Sequence, residues 1–297
     1  MPNSLGSMAA KFTARLDEIV ERECLTNDLN MNKDLLGELS GVGEVKIPKI
    51  ALEGLGDYDR AKGFAPGSAT LDWETLKLAH DRGREFEVDR LDDEERAKVM
   101  SAKLMGEFVR TKVVPEVDAV RFATLAKAAG TKKDGDLATP EDALKAVLSM
   151  EEALEDAGCD LSKVVLYLTS ATKSLLRQSQ EYRQRAGEDP NGRFGTFDEM
   201  KLVTVPKNRF VTAVDLLKGR DGEEAGGFKK ATGGKALNFM AVDPRACSAI
   251  AKHETLRYFS PEQNQSKDAH KWQYRLFHDL LTFENKKGLV YTSVATA

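Results

Sequence analysis

The sequence of 297 residues has few cysteines and no long hydrophobic run, and both shortages exclude classes of protein. Its three cysteines, Cys24, Cys159 and Cys247, are odd in number, widely separated and outside any metal-binding spacing. That usage is typical of reduced thiols in a cytosolic product rather than of a disulfide framework. No stretch approaches the roughly 20 apolar residues of a membrane-spanning helix, and the N-terminus lacks an apolar signal core. We therefore expect no association with a membrane.

The chain also lacks an excess of charge of one sign. Its 44 lysines and arginines nearly balance 48 aspartates and glutamates, which leaves a formal net charge of −4. This balance excludes a strongly basic, DNA-wrapping domain. The length is sufficient for one large domain or two smaller ones, each with its own hydrophobic core.

Catalytic and metal-binding motifs are missing as well. The segment 229–235 lacks the first glycine of a phosphate-binding loop, and Ala236 stands where that motif needs serine or threonine. Neither a nucleophile elbow nor a dinucleotide fingerprint occurs. The four histidines show no metal-ligand spacing: His80, His253, His270 and His278. We therefore predict no catalytic, cofactor-binding or metal site, and a protein that is not an enzyme.

What the sequence does contain is a long two-stranded ribbon. Residues 44–54 alternate apolar and polar side chains until Pro48, and residues 70–89 alternate again, which predicts two half-buried arms. A glycine-rich tip, residues 54–67, joins them. An isolated two-stranded ribbon is only marginally stable in water. Another copy of the chain is the nearest candidate to cover it.

A long helix is predicted directly after the ribbon. It begins near Asp92 and Asp93, whose charges suit a helix N-terminus, and it ends at Gly130. Pro115 predicts a kink or a break near Val114. Its apolar row comprises Met100, Leu104, Phe108, Val109, Val113, Val117 and Val120. Before the ribbon, residues 10–24 carry an apolar helical stripe, Phe12, Leu16, Ile19 and Val20, which either docks on a partner or packs on its own domain.

An α/β pattern follows. Residues 139–142 (TPED) predict a capped helix start, and buried strands are predicted over 164–168, 201–205 and 236–242, with a helix over 171–185. The glycine-rich segment 218–235 predicts an exposed loop. Residues 274–284 and 288–294 flank a turn ending in Gly288, which predicts a C-terminal hairpin.

In order and spacing, these elements resemble the major capsid proteins of tailed bacteriophages, the Hong Kong 97-type fold. The resemblance covers nearly the whole chain. The stretches that carry it are 43–48 (GEVKIP), 57–60 (DYDR), 81–89 (DRGREFEVD), 113–123 (VVPEVDAVRFA), 259–262 (FSPE) and 278–286 (HDLLTFENK).

The resemblance implies an α+β fold divided into named regions. These are an N-terminal arm (1–40), an extended β-hairpin loop (41–91), a peripheral domain with a long spine helix (92–137), an axial α/β domain (138–264), and C-terminal strands of the peripheral domain (265–297). The glycine-rich loop 219–234 would lie at the symmetry axes. Inter-subunit contacts are expected on the extended loop at Val45, Ile47, Tyr58, Arg60, Lys62, Phe64, Trp73, Arg82 and Arg84. The spine helix is expected to be marked by Met100, Leu104, Phe108, Val113 and Pro115.

The resemblance also implies partners. Copies of the chain would assemble through pentamers and hexamers into an icosahedral head enclosing double-stranded DNA, which the shell contacts non-specifically. A separate scaffolding protein and a portal are expected, assembly would take place in the host cytoplasm, and the product would be part of the virion. Some members of the family crosslink a lysine to a neighbour's asparagine beside a glutamate. By residue type alone, the candidates here are Lys62, Glu284 and Asn285.

Two other interpretations stay open at this point. An encapsulin-like nanocompartment shares the fold but encloses enzymes, so the cargo distinguishes it from a phage head. A soluble α/β enzyme with an accessory ribbon belongs to a different class and predicts a compact monomer or dimer.

Overall fold

A computed structural model of the chain describes residues 23–30, 44–61, 63–64, 66–90, 99–179, 186–188 and 194–296. The strands in these ranges are β1 (Glu44–Leu52), β2 (Ala69–Lys77), β3 (His80–Asp89), β4 (Thr131–Asp134), β5 (Val165–Thr169), β6 (Ala186–Glu188), β7 (Phe194–Phe197), β8 (Met200–Val205), β9 (Val214–Leu217), β10 (Gly227–Lys230), β11 (Leu237–Val242), β12 (Cys247–Phe259), β13 (Ala269–Thr282) and β14 (Val290–Val294). The α-helices are α1 (Val99–Phe108), α2 (Val114–Ala128), α3 (Pro140–Asp156) and α4 (Ser170–Gln178).

A seven-stranded mixed sheet forms the larger core, in the order β4-β14-β11-β5-β8-β7-β6. Strand β5 is buried along its whole length, which explains its unbroken apolar sequence. Helix α3 begins with the predicted capping box, because the Thr139 hydroxyl accepts from the Asp142 N–H while the Asp142 carboxylate accepts from the Thr139 N–H. The α/β pattern is confirmed for the predicted strands. The sheet also includes β4 and β14, which lie outside the range 138–264.

A second sheet holds β12, β13 and β3 in that order, all antiparallel. One of its faces packs on the long helix. Trp272, Tyr274 and Leu276 of β13 share a buried cluster with Met105 and Val109 of the helix. Alternate residues of β3 turn toward this core, as its alternating burial shows.

The long helix runs through α1, a π-helical turn over Val109–Val113, and α2. The widened turn ends two residues before Pro115, which has no N–H to donate to the preceding turn. The predicted irregularity near Val114 is therefore confirmed, as a π-turn. Phe108 contacts Phe86 (ring centroids 4.7 Å apart), and Val113 is buried. The predicted helix start at Asp92 and Asp93 and the side chain of Met100 lie outside the described residues.

The second arm of the ribbon differs from the prediction. One strand was expected over 70–89, but β2 ends at Lys77 and β3 pairs with β13 instead of β1. Leu78, between them, is buried with Ile250 and Phe277, and this contact fixes the break at the base of the ribbon. Apolar and polar residues alternate on both sides of the break, so the sequence period alone does not show it.

The predicted C-terminal hairpin is wrong. Residues Glu284–Leu289 form a 3-10 turn, and the strands on either side enter different sheets. β13 pairs with β12 and β3, whereas β14 pairs with β11 and β4. Strand β12, which the sequence does not predict, is the true hairpin partner of β13. A turn signal in the sequence indicates that the chain reverses, but it does not determine which strand the next strand pairs with.

Candidate assembly surface

The ribbon β1–β2 is the candidate assembly surface. Its register runs from Glu44 opposite Lys77 to Leu52 opposite Ala69, and in the described part of the chain no third strand hydrogen-bonds to it. Within the described residues, both long edges of the ribbon therefore have no strand partner. Such edges are templates for pairing with another chain.

Large apolar side chains crowd the far end of this ribbon. Leu52, Leu55, Tyr58 and Phe64 are 73%, 107%, 60% and 87% exposed, respectively. We call residues 52–64, without Lys62, the apolar tip. Scattered exposed apolar residues need no explanation, but a cluster on a projecting element marks an interaction site.

The apolar tip has a defined conformation. The backbones of Asp59 and Gly63 exchange two hydrogen bonds, at 3.2 and 2.7 Å, and Gly63 has a φ of +80°. The rings of Tyr58 and Phe64 pack with centroids 4.9 Å apart. The tip thus presents an aromatic pair on a closed turn.

Behind the tip, Glu53 closes the neck of the ribbon. Its carboxylate accepts from the Ser68 hydroxyl at 2.7 Å and from the Ser68 N–H at 3.1 Å, and these two bonds lower the pKa of Glu53. The Glu53 N–H in turn donates to the Ser68 carbonyl. These bonds keep the two arms together at the point where the tip begins.

At the base of the ribbon, two arginines of β3 bind other elements of their own chain. Arg82 forms a bidentate pair with Glu116 of α2, at 2.6 and 3.2 Å, and donates to the carbonyls of Leu217 and Gly227. We call this set the Arg82 clamp. It joins β3, helix α2 and the short hairpin β9–β10.

Arg84 also binds the hairpin β9–β10. It donates to the carbonyls of Gly219 and Glu224 in the loop between β9 and β10. A Cβ on Gly219 would lie 2.7 Å from the Arg84 Nη1, and Gly219 has a φ of +74°, so this position requires glycine. The placement of Arg82 and Arg84 on the extended loop is therefore wrong, because β3 belongs to the three-stranded sheet. The segment 218–235, predicted as a glycine-rich exposed loop, contains strand β10 and the turn that joins it to β9.

Two stacked histidines lie beside the clamp. His80 and His278 occupy paired positions of β3 and β13, and their ring centroids are 5.3 Å apart. His278 is buried, and burial together with the charges of His80, Arg121 and Arg82 lowers its pKa to about 3. It is thus a neutral core histidine at physiological pH.

The N-terminal segment 23–30 is anchored to helix α2 and to the main core. Leu29 is buried in the main core, and Asp28 pairs with Lys201 at 2.7 Å. Asp118 of α2 accepts from the N–H groups of Leu25 and Thr26. This part of the predicted arm packs on its own domain. Its amphipathic stripe over Phe12–Val20 lies outside the described residues.

The remaining predicted site residues are placed as follows. Val45, Ile47 and Trp73 lie in the ribbon strands, where only the backbone is described, and Arg60 is exposed at the tip. Lys62 lies outside the described residues, and Glu284 and Asn285 lie in the 3-10 turn before β14. Inter-subunit contact at these positions, and the crosslink, stay predictions.

The described residues hold no group of three or more histidine, cysteine, aspartate or glutamate side chains placed to bind a metal ion. Among the described helices, none has the length and apolar character needed to cross a membrane.

Comparison with known proteins shows the fold. No protein-family model and no curated protein matches the sequence. Solved structures do match: the capsid of cyanophage P-SCSP1u (TM-score 0.60, 10% identical, covering 86% of this chain and 84% of that one), the mature capsid of bacteriophage PhiM1 (0.55, 11%, 86% and 82%) and a virus-like particle from Pyrococcus furiosus (0.53, 10%, 96% and 99%). The chain thus has the α+β fold of tailed-phage capsid proteins, as the resemblance implies.

Proposed function

We propose that the chain is the major capsid protein of a tailed bacteriophage. Copies of it assemble through pentamers and hexamers into an icosahedral shell around double-stranded DNA. One observation carries the proposal: a chain with the capsid fold exposes a two-stranded ribbon that ends in four exposed large apolar side chains. The protein performs no catalysis in this role, and it belongs to the virion after assembly in the host cytoplasm.

The ribbon supports a role in contacts between copies because no third strand pairs with it in the part of the chain that the structure describes. Two strands without a third strand or a covering helix are marginally stable. Exposing Leu52, Leu55, Tyr58 and Phe64 to water costs free energy that a neighbouring surface recovers by burial, at about 25 cal/mol per Å². Obligate interfaces bury roughly 2,000 Å² or more, which is ample for an element of this size.

The Arg82 clamp supports the same role from the other end. A projecting element transmits force to its base, and here the base is fixed to helix α2 and to the β9–β10 hairpin by charge-assisted and backbone hydrogen bonds. The ribbon therefore projects from a rigid support. A scaffolding protein and a portal are the further partners that this function requires.

The experiment is electron microscopy of negatively stained, purified protein with and without a charge at the tip. Leu55→Asp and Phe64→Asp should abolish shells or capsomer rings while the circular dichroism spectrum and melting of the unassembled chain stay unchanged. Lys145→Asp, on the exposed face of α3, is the matched control and should assemble as the wild type does. Normal shells from both tip variants, or a wild-type chain that stays monomeric at high concentration, would disprove the proposal.

A nanocompartment shell is the second candidate, and the likeness to the Pyrococcus furiosus virus-like particle favours it, since the alignment spans 96% of this chain and 99% of that one. The two functions differ in their cargo. Shells purified after expression with the native neighbouring genes contain nuclease-protected DNA if the phage function holds. A co-purifying enzyme inside DNA-free shells supports the nanocompartment.

A further inference from the structure

A groove with an apolar floor lies at the base of the ribbon, where helix α2 and strand β9 run beside each other. Its volume is about 550 Å³. One face of α2 lines it, with Val120, Ala123 and Lys127 three to four positions apart in the sequence. Val214 and Leu216 of β9 line it as well. The groove is therefore bounded by elements of the folded body and not by the ribbon itself.

Small side chains leave the room in this groove. Ala123 and Ala126 of α2 and Ala213, directly before β9, are among the residues that line it. Larger side chains at these positions would occupy the apolar space that the alanines leave. Such a space accepts a large side chain from a partner, because aromatic residues that fill apolar pockets contribute much of the binding energy at protein interfaces.

The rim of the groove is positively charged. Among the described residues that line it are Lys127, Lys132 and Lys235, with one carboxylate, Asp134. Asp134 pairs with Lys235 at 2.7 Å, and the Lys132 Nζ donates to the Lys127 carbonyl at 2.8 Å. These two contacts hold ammonium groups at the groove. We call it the basic groove, and its charge favours a partner that carries carboxylates.

The apolar tip of the ribbon has the complementary composition. Its rings of Tyr58 and Phe64 pack on each other and are both exposed. Residues 52–64 contain three carboxylates, at positions 53, 57 and 59, and two basic side chains, at positions 60 and 62. Large exposed rings with a slight acidic excess match a groove that is lined by alanines and surrounded by lysines.

The tip and the groove of one chain lie at opposite ends of the ribbon. His80, which lines the groove, follows the last ribbon residue, Lys77, by three positions. The paired strands then extend from Glu44 at this base to Leu52, where the tip begins. Eight steps of about 3.4 Å give a ribbon of about 27 Å. The tip that fits the groove therefore belongs to a second copy of the chain.

We propose that the basic groove is the docking site for the apolar tip of a neighbouring copy. The Tyr58–Phe64 ring pair packs against Ala123 and Ala213, and the carboxylates of the tip face the lysines of the rim. This docking site rests on the proposed function, and it names the surface that receives the ribbon. Because the tip and the groove are different surfaces, the contact is head-to-tail, and it closes into a ring when the rotation between copies divides a full turn. Pentamers and hexamers meet that condition.

The test is thiol crosslinking of assembled full-length chains with a short bismaleimide. Ala61→Cys places a thiol at the tip and keeps every large apolar side chain there, and Ala123→Cys places one in the groove. The two variants are purified unassembled, mixed and then assembled. The mixture should give covalent dimers of one copy of each variant, in roughly tenfold higher yield than either variant alone, because docking raises the effective concentration of the two thiols. Ala61→Cys mixed with Lys145→Cys, on the exposed face of α3, is the matched control and should show no such increase.

A charge reversal tests the rim independently. Lys127→Glu, at an exposed position of α2, should raise the protein concentration needed for half-maximal assembly roughly tenfold at low salt. The difference from the wild type should shrink as salt is added, since salt screens exposed charges. The circular dichroism spectrum and melting of the unassembled variant should stay unchanged. Lys145→Glu should assemble as the wild type does.

Three results would overturn the docking site while shells still form, and these leave the proposed function intact. They are equal dimer yields in the mixture and its control, an Ala61→Cys/Ala123→Cys variant that crosslinks only within one chain, and a structure of the shell in which another segment fills the groove. Assembly of Lys127→Glu at the wild-type concentration would overturn the role given to the rim. A wild-type chain that forms no shells would overturn the docking site together with the proposed function.

Discussion

The Asp118 carboxylate accepts two hydrogen bonds from Thr26, one from its N–H at 3.2 Å and one from its hydroxyl at 2.8 Å, although 92 positions separate the two residues. Both residues are fully buried. The pair ties the segment before the ribbon to the helix after it. The start of the described chain is therefore part of the core.

Asp118→Asn should strongly destabilise the protein. The substitution removes the only carboxylate among the described residues that pairs with the Arg209 guanidinium, and it leaves that guanidinium with a neutral amide in place of a charge. Breaking a buried ion pair from one side typically costs about 3–5 kcal/mol. Urea unfolding of the unassembled chain measures the loss, and Thr26→Val, which keeps the charges, should cost less.

The same substitution should release the N-terminal segment before the rest of the fold. Cys24 lies next to Leu25, and it is buried in the cluster that includes Met105 and Trp272. In Asp118→Asn, a thiol reagent should modify Cys24 faster while Cys247 stays protected. Equal acceleration at both cysteines would instead indicate global unfolding.

Arg82→Lys should loosen the hairpin β9–β10. Lysine keeps the charge but cannot form the bidentate pair with Glu116 and also reach the carbonyls of Leu217 and Gly227. Leaving partly buried acceptors unpaired costs about 1–3 kcal/mol. Hydrogen exchange of the amides in β9 and β10 should accelerate.

Arg110→Lys is the matched control for the clamp, because Arg110 pairs with Glu107 on the exposed face of the helix. Exposed ion pairs contribute only about 0–1 kcal/mol to the free energy of unfolding. If both substitutions accelerated hydrogen exchange in β9 and β10 equally, the result would show that the Arg82 clamp does not stabilise the hairpin.

Features that depend on neighbouring residues could be predicted from the sequence. The capping box at Thr139, an irregularity in the helix before Pro115 and the buried strand β5 each follow from a local pattern of residue types. The ribbon strand β1 follows from alternation, and the exposed tip follows from its glycines. These features need no knowledge of the partner element.

Strand partners and buried networks could not be predicted in this way. β3 has the same alternation as β2, so the sequence does not show that it leaves the ribbon for β13. Arg82 and Arg84 look like surface charges in an alternating strand, although their partners lie 34 to 145 positions away. Thr26 carries no local signal for its contact with Asp118. Such contacts depend on how distant elements pack together. The residue types next to each position in the sequence do not show that packing.

All three cysteines should resist alkylation in the folded chain. Burial raises the pKa of Cys24 and Cys247 to about 12, and burial with a hydrogen bond to Asp243 raises the pKa of Cys159 to about 11. At pH 8 the reactive thiolate is therefore scarce at every site. Iodoacetamide followed by mass spectrometry should find three modified cysteines in denaturant and almost none without it. Rapid modification of Cys159 in the native chain would contradict this prediction.

His278 should make the fold sensitive to mild acid. Its pKa is about 3 in the folded chain, against 6.5 for an ordinary histidine. When the pH falls below 6.5, the unfolded chain takes up a proton that the folded chain does not, so stability decreases between pH 6.5 and about 3. By proton linkage, this residue lowers the free energy of unfolding by about 2 kcal/mol between pH 7 and pH 5.

His278→Gln isolates this contribution, because glutamine is not ionised in that range. The variant is expected to be less stable than the wild type at pH 7, since the amide does not reproduce the stacking on His80, but its loss between pH 7 and pH 5 should be smaller by about 2 kcal/mol. Urea unfolding of the unassembled chain at both pH values measures the difference. Equal acid sensitivity in His278→Gln and the wild type would show that His278 accepts its proton in the folded chain, for which its site would have to admit water.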